Sequence, residues 1–447
     1  MNNKILGFGS ADLHNFAEDI IKKAKKTGVD AIEVDVSVSS GRSITVRHQD
    51  VETSEINNDK NLTLALFKGK KRGIVSSSDF SSKTIELLID KAKSIMNNTE
   101  GDPAFGIAEA DQHPHSKKHL DIFFPHSITD QEIIELLKAT ESSGINFSKE
   151  ITNSEGSTFT DYQSNFVFAN SNNFFGGYSG TRFSLSCSLI AGKEQGMQRD
   201  SDYSNVRCFD DLKVNTDLGE KAAKKAIAKL KPRKIKTNKY PVIFHHDVSG
   251  VIISSLVSAI SGMNLYKQNS FLLNTVGKKI ASKKFTLIED PFLAKGHAST
   301  YFDDEGVAVT ANSIVEQGVL NHYLLSNYSA KKLGLASTGN AGGTHNLLMA
   351  HDDLTLDNLI SSMQEGVLIT DLLGHGLNMV NGDFSRGANG FYIKDGQIKF
   401  PVEEITVAGN MKNIFMNIEA ISNDINTNSS RQIGSVWVND MTVASAS

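Results

Sequence analysis

Cysteine is almost missing from this chain of 447 residues: only Cys187 and Cys208 occur. Two thiols build neither a disulfide framework nor a thiolate metal site, and their scarcity fits a reducing cytoplasm. An excess of basic charge is missing too, since 46 Lys and Arg stand against 51 Asp and Glu, a formal charge of −5. Wholesale binding to nucleic acid or to an anionic membrane is therefore not expected. No stretch approaches the roughly 20 apolar residues a spanning helix needs, and the first residues turn acidic and amphipathic before any long apolar run. What remains is a chain 39% apolar and longer than one hydrophobic core usually organises, so two or three domains are expected.

Periodicity divides it. Leu13, Phe16, Ile20, Ile21 and Ala24 recur at helical spacing, with Gly28 as a stop. Residues 31–56 and 61–78 then alternate apolar and polar side chains, and read as hairpins turning at Ser39-Ser40-Gly41 and at Gly69 to Gly73. A second amphipathic helix follows, so residues 1–112 read as an N-terminal mixed helix and antiparallel-sheet domain. A middle domain, 113–231, opens after an aperiodic linker with a helix whose Thr129 and Glu132 form a capping box. Its strand places Phe183, Leu185, Cys187 and Leu189 on one face, and Cys187 reads as a small buried residue. Residues 232–447 are richer in Gly and strands, with a hairpin at Asp395-Gly396 that sets Phe391 and Ile393 opposite Ile398 and Phe400. The expected class is α+β, ending in a largely antiparallel, β-rich domain with helices.

Between residues 221 and 239 nine basic residues occur without an acid. Clustered Lys and Arg suit phosphates. A solvated helix end and linker around Pro232 accounts for them better, because cations favour a helix C-terminus and no aromatics are interleaved to stack bases.

The stretch "YPVIFHHDVSGVIISSLVSAISG", Tyr240 to Gly262, raises the question of a metal. It reads as a buried strand running into a helix capped by Asp247, with His245 and His246 at the turn. A zinc hydrolase needs several neutral imidazoles around one ion, an acid beside bound water and an open coordination position. One turn beyond the two histidines stand Ser249, Gly250 and Val251, which supply no second imidazole. His345, His351 and His375 have no recognisable ligand spacing, no Gly-x-Ser-x-Gly elbow is present, and "STGNAGGTHN" lacks the Lys of a phosphate loop.

The segments "AISGMNLYKQNSFLLNTVGKKI", "STYFDDEGVAV", "LLSNYSAKKLGLASTGNAGG", "LLGHGLNMVNGDFSRGANGFYIKDGQIKFPVEEITVAGNMKNI" and "GSVWVNDMTVA" together resemble the TldD/PmbA family, in particular its PmbA (TldE) branch, once called modulator of DNA gyrase. The resemblance covers nearly the whole chain, in the family's order. It implies a two-subunit metallopeptidase that trims unfolded peptides, with zinc in the TldD subunit. The TldD motif is His-Glu, a second His five residues after the first, and a later Cys before a Gly. In this chain His246 aligns with the first ligand, Asp247 stands where the Glu would be, Val251 replaces the second His, and Ile433 falls near the Cys position. The resemblance therefore implies no metal and no cofactor in this chain, and no catalytic residues of its own. Asp383, Ser385 and Arg386, among glycines, and His345 are its candidates for holding peptide, by strand addition or by meeting a terminus.

The expected assembly is a cytoplasmic heterodimer with a TldD-like catalytic subunit, a homodimer being the other arrangement allowed. Two rivals stand beside it. One keeps catalysis in this chain through three of His245, His246, His345, His351 and His375 converging about 2.1 Å from one point. The other is a gyrase or nucleic-acid regulator acting through the basic run.

Overall fold

A computed structural model describes residues 4–212 and 217–445. The first half is a six-stranded antiparallel sheet in the order β3-β2-β1-β4-β5-β6, formed by β1 (Ala31–Arg47), β2 (Asp50–Lys68), β3 (Lys71–Ser77), β4 (Ile151–Asn170), β5 (Phe175–Ala191) and β6 (Gln198–Val206). Because β1 pairs with both β2 and β4, segments 1–112 and 113–231 share one sheet, and the boundary near residue 112 does not separate sheets. The linker there is pinned: the buried His113 ring bonds to the Gly306 carbonyl and to Asn170.

One face of this sheet carries four helices. Ile32, Val34, Val36 and Val38 of β1 pack under α1 (Ser10–Lys25) and α2 (Ser82–Asn98). Further along β1, Ile44 and Val46 pack with Ile133 and Leu137 of α3 (Asp130–Ile145) and Leu218 of α4 (Asp217–Ala228). The period-two alternation on β1 and the helical period on its partners meet in this layer. Thr129 and Glu132 form the expected reciprocal cap, Thr129 Oγ1 accepting from Glu132 N at 3.3 Å and Glu132 Oε2 from Thr129 N at 2.8 Å. Phe183, Leu185, Cys187 and Leu189 are all buried on β5, and burial pushes the Cys187 thiol up to about 11.

One expected turn is displaced. Ser39 to Gly41 lie inside the 17-residue strand β1, and the chain reverses at His48-Gln49, with φ of 52° and 68°. Gly41 serves close approach rather than turning, since a Cβ there would stand 2.5 Å from the Asp161 carbonyl oxygen of β4.

The last part contains β7 (Asn238–Phe244), α5 (His246–Ile260), α6 (Gly262–Tyr266), β8 (Leu287–Asp290), β9 (Asn312–Glu316), β10 (Val319–Leu320), α7 (Asn327–Leu333), β11 (Asn346–Met349), α8 (Leu356–Ser362), β12 (Glu365–Leu373), β13 (Asp383–Lys394), β14 (Gln397–Asn410), α9 (Met411–Met416), β15 (Ile418–Ile421), β16 (Arg431–Gln432) and β17 (Val436–Ser445). Its main sheet runs β14-β13-β12-β7-β17-β15, and β14 also pairs with the end of β17, so the sheet closes on itself around a core that includes Val242, Val367, Ile405 and Val438. A smaller sheet runs β10-β9-β8-β11-β16. Pairings are antiparallel except β7–β12 and β11–β16, as an α+β class requires. The Asp395-Gly396 turn has φ of 52° and 69°, and Ile393 meets Ile398 as expected, but a register shift at Tyr392 sets Tyr392 against Phe400 and Phe391 against Pro401. No helix among the described residues is long and apolar enough to cross a membrane.

The halves meet through side chains. Tyr301 and Phe302 pack with Phe168 and Phe174 of the first sheet, and Arg207 donates to the carbonyls of Gly296 and His297. The basic run contributes as well: Lys229 bonds to Asp200 and Asp371, both at 2.8 Å, and Lys225 to Asp202 and Asp247 at 2.9 and 3.2 Å. These two lysines are neither a phosphate surface nor a solvated helix end.

Candidate functional site

The strand β7 lies between β12 and β17, and its end fixes the corner at His245. His245 N donates to Ile369 O at 2.9 Å, and the His245 ring accepts from Asp247 N at 3.3 Å. His245, not the expected Asp247, is therefore the cap of α5, and Asp247 sits in the first turn, where a negative charge suits the helix dipole. Ile252, Ile253, Leu256, Ala259 and Ile260 bury the inner face of α5, which holds the corner rigid.

Around this corner the side chains form one hydrogen-bonded network. His246 Nδ1 lies 2.9 Å from Asp424 Oδ2 and Nε2 lies 3.3 Å from Asp247 Oδ1. Asp424 accepts in turn from Ser435 N at 2.8 Å, from Ser435 Oγ at 2.7 Å and from Ser422 Oγ, while Ser435 Oγ accepts from His246 N at 3.0 Å. Asp247 also receives Lys225 at 3.2 Å. Burial opposes a charge on His246, but the hydrogen bonds and charges of Asp247 and Asp424 outweigh it and raise the imidazole to about 9. Burial likewise opposes ionised Asp247 and Asp424, yet bonds from the imidazoles, and from Ser422 and Ser435 for Asp424, hold both carboxyls well below their usual range. Both ring nitrogens thus face carboxylates, an environment that favours the protonated ring, in which neither nitrogen keeps a lone pair for a metal.

The donor set does not fit hydrolytic zinc. The side chains of His245, His246 and Asp247 bring ligand atoms within 4.8 Å of one another, and no other such group of three occurs among the described residues. But the His246 nitrogens face carboxylates, and Val251 on α5 and the buried Ile433 offer only carbon. His345, His351 and His375 do not join them. His345 is buried against Glu289, with Nδ1 to Oε1 at 2.9 Å, His351 bonds to the Asp352 carbonyl at 3.0 Å, and His375 is exposed.

His246, Asp247, Val251, Ile433 and Arg386 line one open cleft of about 440 Å³, so of the peptide candidates Arg386 reaches the corner. Asp383, Ser385 and His345 do not line it. Asp383 is held by Asn381 and Asn410 at 2.7 and 3.0 Å, and forms no pair with Arg386. Ser385 is an exposed residue of β13; β14 pairs along one edge of the strand there, and on the other Ser385 N donates to the Gly376 carbonyl at 2.7 Å. Asp424, Ser435 and Lys225 escaped the sequence reading. Asp424 and His246 are 178 residues apart, and no local motif marks the acid.

A closed, largely antiparallel sheet thus delivers a His-Asp helix corner into an open cleft on an α+β scaffold. The comparisons give it a family. The chain matches the PmbA/TldA metallopeptidase domain 1 over residues 32–95, the central domain over 124–230 and the C-terminal domain over 237–445. It belongs to the PmbA/TldD metallopeptidase family. It is 39% identical to Metalloprotease PmbA of Escherichia coli O157:H7, across 93% of this chain and 92% of that one. Against the Metalloprotease PmbA homolog of Haemophilus influenzae the identity is 38%, across 95% and 94%. A crystal structure from Bacteroides thetaiotaomicron, described as a candidate modulator of DNA gyrase, superposes with a TM-score of 0.92 at 30% identity, covering 97% of this chain and 98% of the other. TldE of Thermococcus kodakarensis shares the fold, with a TM-score of 0.83 at 21% identity, covering 96% and 100%.

Proposed function

We propose that this chain is the zinc-free, non-catalytic subunit of a cytoplasmic TldD/TldE-type peptidase, pairing with a TldD-like catalytic chain to act on unfolded peptides. One observation carries the reading: the imidazole at the first-ligand position lies between the carboxylates of Asp247 and Asp424, at 3.3 and 2.9 Å, while Val251 and Ile433 stand at the other ligand positions. A ring that must give up a proton and one carboxylate partner before binding a metal, with Val251 and Ile433 offering no donor, gives too little affinity. The contribution of such a subunit is binding: the cleft beside Arg386 offers a wall for the chain that a partner cleaves.

Metal analysis of the purified chain, with peptidase assays on it alone and mixed with a TldD-type partner, tests this. The expected result is far less than one zinc per chain, no hydrolysis alone and hydrolysis with the partner. Stoichiometric zinc together with activity in the isolated chain overturns it, and favours the rival reading that the proximity of His245, His246 and Asp247 supports. The gyrase reading draws on the description of the Bacteroides relative. Against it, Lys225 and Lys229 of the basic run are engaged by carboxylates.

A further inference from the structure

Arg386 is a guanidinium without an anion. Its Nε is shut off from solvent with no acceptor, and Nη2 has one acceptor, the Leu372 carbonyl, at the long distance of 3.4 Å. Of the five N–H donors a guanidinium carries, one is engaged inside the chain, and no carboxylate pairs with it among the described residues. Half-buried arginines are ordinarily paired, because their donors are costly to leave unmet. Arg431 lines the same cleft, is exposed, and likewise has no ion pair among the described residues. The cleft's lining acid, Asp247, is already held by His246 and Lys225. An incoming anion therefore meets surplus positive charge in a chain whose formal charge is −5. Val248, Val251, Leu372 and Ile433 add apolar wall, and about 440 Å³ of open space admits a short length of peptide.

We infer that this cleft is a carboxylate-binding site, in which Arg386, assisted by Arg431, receives the C-terminal carboxylate of a peptide. The planar fork of arginine matches the two oxygens of a carboxylate, and the bond is charge-assisted. This rests on the reading of the chain as a peptide-binding subunit and adds what part of the peptide it grips. An acidic side chain presents the same group, so the source has to be separated by experiment.

The test uses fluorescence anisotropy on the full chain in the presence of a chelator, with three labelled probes: hexa-alanine with a free C-terminus, hexa-alanine amide, and an amidated alanine peptide carrying one glutamate. The expected result is binding of the free acid at least about tenfold tighter than of the plain amide, with the difference lost in Arg386→Gln and reduced in Arg431→Gln. Equally tight binding of the amidated glutamate peptide, also lost in Arg386→Gln, supports the site and assigns it to a side-chain carboxylate. Equal affinity for free acid and plain amide, an unchanged difference in a folded Arg386→Gln, or no binding of any probe overturns it. The comparison of acid and amide needs no variant, so a misfolded Arg386→Gln does not blunt it. Because no metal or hydrolysis enters the readout, a negative result here leaves the zinc-free reading standing, and zinc-dependent activity would sink that reading without touching this one.

Discussion

His246 and Asp424 lie 2.9 Å apart across the strand-to-helix corner, imidazole Nδ1 to carboxylate Oδ2, and Asp424 is fastened by Ser422 and Ser435 on the far side. The second ring nitrogen faces Asp247. An imidazole whose two nitrogens both face carboxylates favours holding its proton, whereas a zinc ligand keeps one nitrogen free for the metal.

Replacing Asp424 by Asn should loosen the corner. It removes a charge-assisted bond at a site where both side chains are about three-quarters buried, so the expected cost is about 1–3 kcal/mol in denaturant unfolding. The His246 ring, raised to about 9 in the parent, should titrate lower in the variant by NMR. The sign follows from linkage: the stabilisation by protonated His246 is complete below its ordinary value of 6.5 and fades as pH rises through about 9. Asp424→Asn should flatten stability over that window. An unchanged His246 titration would refute the assignment of the raised value to Asp424.

Restoring donors one at a time should not restore metal. Val251→His adds an imidazole one turn along α5, yet leaves His246 protonated between its acids, so zinc content should stay well below one per chain. The triple change Asp247→Glu, Val251→His and Ile433→Cys adds two donors to His246 and a longer acid, and its zinc affinity should exceed that of Val251→His alone. Equilibrium dialysis against zinc decides. Stoichiometric zinc in Val251→His would mean that the His246 proton is easily displaced.

Lys229 ties the first half of the chain to the second. Its side chain is 12% exposed and touches Asp200 on β6 and Asp371 on β12, both at 2.8 Å. Lys229→Ala leaves two carboxylates facing one another without their cation, and should cost about 1–3 kcal/mol and speed limited proteolysis between the halves. Retention on a heparin or DNA column should not change. If it falls while stability holds, the lysine belongs to an anion surface instead.

The elements that could be read in advance are those whose signal lies within a few residues. Thr129-Glu132 and Asp395-Gly396 act inside one turn and the α5 periodicity inside one helix, and the structure has them in place. The reversal at His48-Gln49 was hidden because no Gly or Asn marks the left-handed backbone there, while Gly41 advertised a turn and was spent on close approach to β4. The site divides the same way. His246, Asp247, Val251 and Arg386 were legible from order along the chain. Their partners Asp424, Ser435 and Lys225 were not, because strand pairing and α4 packing decide which distant residues reach the corner. The capping role passed to His245 because its backbone is tied to Ile369 of β12, a tertiary fact that no local propensity contains.

A buried group of acids between the halves makes the last prediction. Glu33 on β1 has an oxygen with no hydrogen-bond partner, and burial, followed by the charge of Glu305, pushes its carboxyl up to about 8. Burial raises Asp303 to about 7 against three backbone N–H donors, and raises Asp35 to about 6 with help from Asp304. These groups hold protons in the folded chain that the unfolded chain has already released. Their stabilising contribution is therefore complete below the ordinary carboxyl values of 3.8 to 4.5 and is lost as pH climbs through about 6 to 8. Glu33→Gln keeps the shape and removes the proton. It should match the parent near pH 5 and exceed it by about 1–3 kcal/mol at pH 8.5, with urea unfolding at both pH values as the measurement. A variant whose stability falls with pH as steeply as the parent's would show that Glu33 keeps its charge in the fold, and that Arg72, the cation acting on it, neutralises it.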